Sequence, residues 1–134
     1  MKTKKKTNVV KGYIYKPHCI AISYKDFQHV LSSLETCLTD YSTDQRGDVG
    51  SWVRVATMNL LRFLLPCVSK LDTKDESPYL DMQTTTRFMA ALLKQSVERI
   101  DKVRACAGQV LYDLISNEDM NISSKESLKE HIYR

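Results

Sequence analysis

Four stretches of this chain carry apolar residues at alternating intervals of three and four, the spacing of one face of an α-helix. Phe27, Val30, Leu31, Leu34, Cys37, Leu38 and Tyr41 predict a first helix from about Lys25 to Tyr41. Val49, Trp52, Val53, Ala56, Leu60 and Leu64 predict a second, from about Asp48 to Lys70, with these residues on its packed face. Pro66 falls inside it and lacks a backbone donor, so a kink or an early stop is expected near Leu65. A third helix carries Thr85, Phe88, Met89, Leu92, Leu93, Ser96, Val97 and Ile100, with Ser77-Pro78 and Asp81 competing as its start. The fourth carries Val103, Cys106, Ala107, Val110, Leu111, Leu114 and Ile115, after a break placed near Glu98 to Asp101 with Asp101 as its cap. Ser123 and Glu126 form a capping box for a short last helix to Tyr133, whose packing residues are Leu128, Ile132 and Ile122.

Between the first two helices lies the polar connection Ser42 to Gly47, of a length usual inside a helical hairpin. Gly47 supplies backbone angles closed to other residues, and Asp48 can accept from free N–H groups of the next first turn. The second and fourth helices echo each other at an offset of 50 residues. Val53-Arg54 matches Val103-Arg104, Leu61 matches Leu111, Leu64 matches Leu114 and Leu65 matches Ile115. A period in this range is the habit of HEAT and armadillo arrays. The expected fold is therefore all-α: HEAT/armadillo-like helical hairpins, an α-solenoid fragment with a basic N-terminal extension. The expected organisation is a partly extended segment over 1–23, two hairpins over 24–117 (24–71 and 78–117), and a short C-terminal helix within 118–134.

Matching positions argue that Arg54 and Arg104 serve architecture, meeting Asp48, Glu98 or Asp101 from neighbouring turns. Trp52 is expected in the contact between hairpins. Arg46-Gly47-Asp48 also spells the integrin-binding tripeptide, but a glycine bend before a helix accounts for it.

The net charge of +4 is concentrated at one end. Lys2, Lys4, Lys5, Lys6, Lys11 and Lys16 precede any acid, so the rest of the chain is slightly acidic. Lys4, Lys5 and Lys6 are candidates for an anionic partner, although a solvated tail is the plainer reading and nucleic acid is not expected. The apolar residues behind them, Tyr13, Ile14, Ile20 and Ile22, are candidates to cover one end of the stack. Cys19, Cys37, Cys67 and Cys106 are too dispersed for zinc, and His18, His29 and His131 fall in no metal spacing. No apolar run approaches the roughly 20 residues needed to cross a bilayer. Lys11, Gly12, Lys16 and Pro17 interrupt any secretory signal, so the cytosol is expected. Phosphate-binding loops, a nucleophile elbow and paired catalytic carboxylates are absent from the sequence, and neither catalysis nor a cofactor is expected.

Two segments are more specific than generic repeat residues. RGDVGSWVR, from Arg46 to Arg54, and LLKQSVERIDKVRACAGQVL, from Leu92 to Leu111, strongly resemble the carboxy-terminal part of tubulin-folding cofactor D. The resemblance extends roughly from Leu34 to Ile115, and family members are long solenoids, so this chain looks like a fragment or a shortened relative. It implies a chaperone scaffold that holds β-tubulin. It also implies work with cofactors C and E and a small Arf-like GTPase in assembling and recycling the αβ-tubulin heterodimer. Helix periodicity alone supports only a protein-binding solenoid. A HEAT scaffold for another cytosolic complex, or a nucleic-acid or membrane-surface module acting through the lysine tail, are the alternatives.

Overall fold

The structure, a computed structural model, describes residues 22–72, 79–122 and 125–132. The basic tail, with Lys4, Lys5 and Lys6, lies outside the described residues, as do Ser77-Pro78 and Ser123. The elements are α1 (Tyr24–Cys37), a minute hairpin of β1 (Thr43–Asp44) and β2 (Gly47–Asp48), α2 (Gly50–Asp72), α3 (Met82–Gln95), α4 (Asp101–Ser116) and α5 (Lys125–Ile132). Among the described residues the fold is all-α apart from that two-stranded turn.

In α1, α2 and α3 a side chain accepts from an N–H group of the first turn. Ser23 caps α1 by accepting from Asp26 N at 3.1 Å. Asp81, not Ser77, caps α3, accepting from Thr84 N at 2.7 Å. α4 starts after Ile100, which makes no side-chain cap bond, so Asp101 is its first helical residue and not its cap.

The hairpins stack side by side in the same sense. Gln28 donates to the Tyr79 carbonyl at 2.8 Å, and Arg87 Nε donates to Glu35 at 2.8 Å, which sets α3 along α1. Ser69 reaches Met120 and Arg62 pairs with Asp113, which sets α4 along α2. Partners in these contacts stand 51 or 52 residues apart where Gln28, Glu35 and Ser69 are concerned, close to the offset of 50 in the sequence. Phe27, Leu31, Leu34 and Leu38 of the first layer meet Met58, Leu61, Leu65, Phe88, Leu92 and the apolar face of α4 in one core. Met120 and Ile122 close its end.

Expectations about faces and ends are corrected in three helices. α1 stops at Cys37, where the bonding shifts from four residues back to three: Thr39 N–H donates to the Thr36 carbonyl and Asp40 N–H to the Cys37 carbonyl, and Tyr41 stands outside the helix, exposed. α3 stops at Gln95, so Val97 and Ile100 are not on its face; Val97 and Leu93 are exposed. α2 runs through Pro66 to Asp72 without stopping. Its buried positions are Gly50, Ser51, Arg54, Thr57, Met58, Leu61, Leu65, Val68 and Ser69, one residue on from the expected face, a rotation of about 100°.

Candidate functional site

That rotation places a cation where an apolar residue was expected. Arg54 is fully buried, while Val53 and Trp52 beside it are 37% and 56% exposed. Trp52 is thus not packed between the hairpins, and Val53 is not a core residue. Both face outward, and the polar groups on the buried stripe find local partners: Thr57 Oγ1 donates to the Val53 carbonyl at 2.8 Å and Ser51 Oγ to the Asp48 carbonyl at 2.6 Å.

The turn that delivers Arg54 follows from its sequence. Asp44 accepts from Arg46 N at 2.7 Å and pairs with the Arg46 guanidinium at 2.6 Å, which folds Thr43 and Asp44 onto Gly47 and Asp48. Gly47 takes φ +106°, the conformation expected of it, where a side chain would be strained. Gly50 then passes so close to Asp40 that an added Cβ would lie 2.7 Å from the Asp40 carbonyl carbon. Only glycine fits there. Asp48 Oδ1 accepts from Ser51 N at 2.9 Å and so caps α2, as its chemistry suggests.

Asp48 also takes the buried guanidinium. Arg54 Nη2 reaches Asp48 Oδ2 at 3.0 Å, Nη1 reaches the Asp40 carbonyl at 2.5 Å, and Nε reaches Gln95 Oε1 at 3.1 Å. Its guanidinium carbon lies 4.1 Å from the centre of the Tyr41 ring. Gln95, itself buried, donates to the Leu38 carbonyl at 3.1 Å and to Tyr41 Oη at 3.2 Å. Tyr41 Oη donates to Glu98 at 2.5 Å. Four segments therefore converge on one cation: the end of α1, the turn, the start of α2 and the end of α3.

The charges respond to this arrangement. The Arg54 hydrogen bond is the largest influence holding the Asp48 carboxyl below the usual carboxylate range, with the Ser51 N–H assisting against burial. Asp40 is lowered chiefly by Ser42, and Asp44 by Arg46. The Glu98 hydrogen bond raises the Tyr41 phenol.

Arg104 stands 50 residues on but lives differently. It is half-exposed, pairs with the solvent-facing Asp101, and donates to the Glu98 carbonyl at 2.8 Å. Val103 is fully buried. The two Val-Arg pairs are inverted: the arginine is inside in one and the valine inside in the other. Leu61 with Leu111, and Leu65 with Ile115, do occupy equivalent buried sites.

Sequence reading missed Gly50, Gln95, Tyr41 and Asp40 as members of this cluster. A second glycine three residues after Gly47 was a usable signal for Gly50; nothing local marks Gln95. Among the described residues, no three His, Cys, Asp or Glu side chains gather to hold a metal, and no helix is long and apolar enough to cross a membrane.

Residues 86–134 match the family model of the tubulin folding cofactor D C-terminal region. The chain is 29% identical over 128 residues to the tubulin-specific chaperone D of Dictyostelium discoideum, covering 84% of this chain and 9% of that protein. It is 33% identical over 85 residues to the tubulin-folding cofactor D of Schizosaccharomyces pombe, covering 63% of this chain and 7% of that protein. The chain is similar to the C-terminal region of tubulin-folding cofactor D. It spans less than a tenth of the length of these curated relatives. No solved structure matches it. The Arg54 cluster straddles the edge of the cofactor D match: Gln95 and Glu98 lie inside it, and Asp40, Asp48 and Arg54 precede it.

Proposed function

We propose that this chain is a protein-binding helical module of a tubulin-folding cofactor, acting in assembly and recycling of the αβ-tubulin heterodimer through contact with β-tubulin. The observation that carries this reading is the cofactor D family match, with both relatives named for tubulin folding or tubulin specificity. Its chemistry is recognition without catalysis: the Arg54 cluster spends its polar groups on joining two hairpins, and the outward side of α2 offers Trp52 with the Arg46 guanidinium 5.0 Å from its ring centre. Other tubulin-folding cofactors and a small Arf-like GTPase would be neighbours in the same cytoplasmic assembly. The reach of this chain over under a tenth of its relatives supports a second reading, a helical-repeat scaffold serving another complex.

Purified αβ-tubulin passed over the immobilised chain separates the two. Saturable retention of tubulin, absent for an unrelated helical-repeat protein of similar charge, is the expected result. Failure to retain tubulin at concentrations tens of times above those of a working cofactor would set the tubulin reading aside.

A further inference from the structure

α2 buries one stripe and, among the described residues, leaves a second apolar stripe bare. Val53, Leu60 and Cys67 recur every seven residues, Ala56 and Phe63 fill the positions between them, and Leu71 continues the line. All six are exposed, Phe63 by 66% and Leu60 by 48%. Steps of three and four make the seam along which one helix packs on another, and none of the six residues is charged. At 1.5 Å per residue the seam is about 27 Å long. α4 packs against another side of α2, through Ser69 and Arg62, so the seam is not part of the core. It is more continuous than scattered surface residues require.

We propose that the seam is the contact between two copies of this chain, α2 of one lying antiparallel to α2 of the other across a twofold axis. The order of sizes along the seam argues for this occupant. Outward from a midpoint between residues 61 and 62, each arm carries a large residue (Leu60, Phe63), then a small one (Ala56, Cys67), then a branched aliphatic (Val53, Leu71). A twofold contact needs one surface to complement itself, so that residue i meets j while j meets i. The symmetric order provides this. Leu60 meets Phe63 of the second copy on either side of the axis, and Ala56 meets Cys67, where two small residues let the backbones approach. An unrelated helix would impose no such symmetry. The absence of charge also removes the repulsion that two identical surfaces otherwise bring to each other. Pairing covers about 500 Å² on each chain, Trp52 at the edge included, since one large aromatic side chain brings about 150 to 250 Å² when fully buried. The total of about 1,000 Å² lies at the low end for a specific contact, which makes the pair reversible and concentration-dependent. Self-pairing needs no tubulin, so it stands or falls separately from the tubulin reading.

Sedimentation equilibrium of the intact chain, run from about 1 to several hundred µM, should show a monomer–dimer equilibrium. The double variant Leu60→Glu, Phe63→Glu puts carboxylates into the seam and should raise the dimer dissociation constant about a hundredfold. Both positions are exposed in the monomer, so helical circular dichroism and melting at low concentration should match the parent. Ala56→Cys reads the orientation. Along one helix positions 56 and 67 are about 16 Å apart, too far for a disulfide within a chain, and in the antiparallel pair the two copies of Cys67 are as far from each other. Oxidation of this variant should join position 56 of one chain to Cys67 of the other, and the parent should form no Cys67–Cys67 link. A monomer throughout the range, which would leave the seam to a different protein, overturns the proposal. So does a dimer that survives the double variant, one that lacks the link from position 56 to Cys67, or a mapped Cys67–Cys67 disulfide.

Discussion

Changing Arg54 to alanine removes the one group that four segments share. The guanidinium is fully buried and donates to Asp48, the Asp40 carbonyl and Gln95. Charge-assisted bonds of this kind are each worth about 1.5 to 3 kcal/mol when made, but desolvating the cation offsets much of that. The measurable quantity is what remains unpaired after truncation. Breaking a buried pair costs about 3 to 5 kcal/mol in general. Here Asp48 keeps a quarter of its side chain in water and can rehydrate, whereas Gln95 Oε1 is sealed and cannot. The expected loss therefore sits near the lower end, about 3 kcal/mol, or a melting point lower by about 10 °C for a chain of this size. Arg104→Ala is the control. Its pair with Asp101 is exposed and should contribute less than about 1 kcal/mol. Urea unfolding followed by circular dichroism, on both variants at neutral pH, makes the comparison. Equal effects, or an Arg54→Ala chain within 1 kcal/mol of the parent by the same scale, would refute the assignment of Arg54 as the shared anchor.

Gly50→Ala should destabilise by about 1 to 3 kcal/mol, toward the upper end because the group it strikes is the Asp40 backbone and not a side chain that can swing away; thermal melting checks this. Acid should weaken the fold in a defined window. Asp48 has a folded pKa below its unfolded value of about 3.9, so its contribution is complete above that value and disappears as pH falls through the folded pKa. Urea midpoints measured from pH 6 down to pH 2.5 should fall below about pH 4, and Asp48→Asn should flatten part of that slope while lowering stability at pH 6. A parent chain whose midpoint is unchanged below pH 4 would contradict this.

The fourth helix was legible because its aliphatic core residues form one continuous stripe: Val103, Ala107, Val110, Leu111, Leu114 and Ile115 are all buried. The second was misread for the opposite reason. Its sequence is apolar on nearly every side, and periodicity selects whichever stripe is continuous, so the stripe with Trp52 and Leu60 displaced the true one with Arg54 and Thr57. A buried arginine looks like a surface residue until its partners are located, and those partners lie in other segments. Gly47 and Asp48 were readable because their roles are local, fixed by backbone angle and by reach to Ser51. Gln95 was not, because its value depends on where the end of α3 arrives relative to a cation 41 residues earlier. The offset of 50 paired Leu61 with Leu111 and Leu65 with Ile115, all buried, and misled where it implied that Arg54 and Arg104 have equal surroundings.

The link between Arg54 and Gln95 bears on how the chain acquires its structure. In many repeat arrays each hairpin is a semi-independent unit that adds its own stability and a neighbour interface. Here the first hairpin alone would enclose a guanidinium whose Nε has no acceptor, and the second alone would leave Gln95 without the Leu38 carbonyl. Neither half is a satisfactory resting state by itself. Formation of one is conditional on arrival of the other, so the two hairpins should appear and disappear in a single kinetic step, with the Arg54 contact made late, as the lock that separates a loose pair of helices from the native chain.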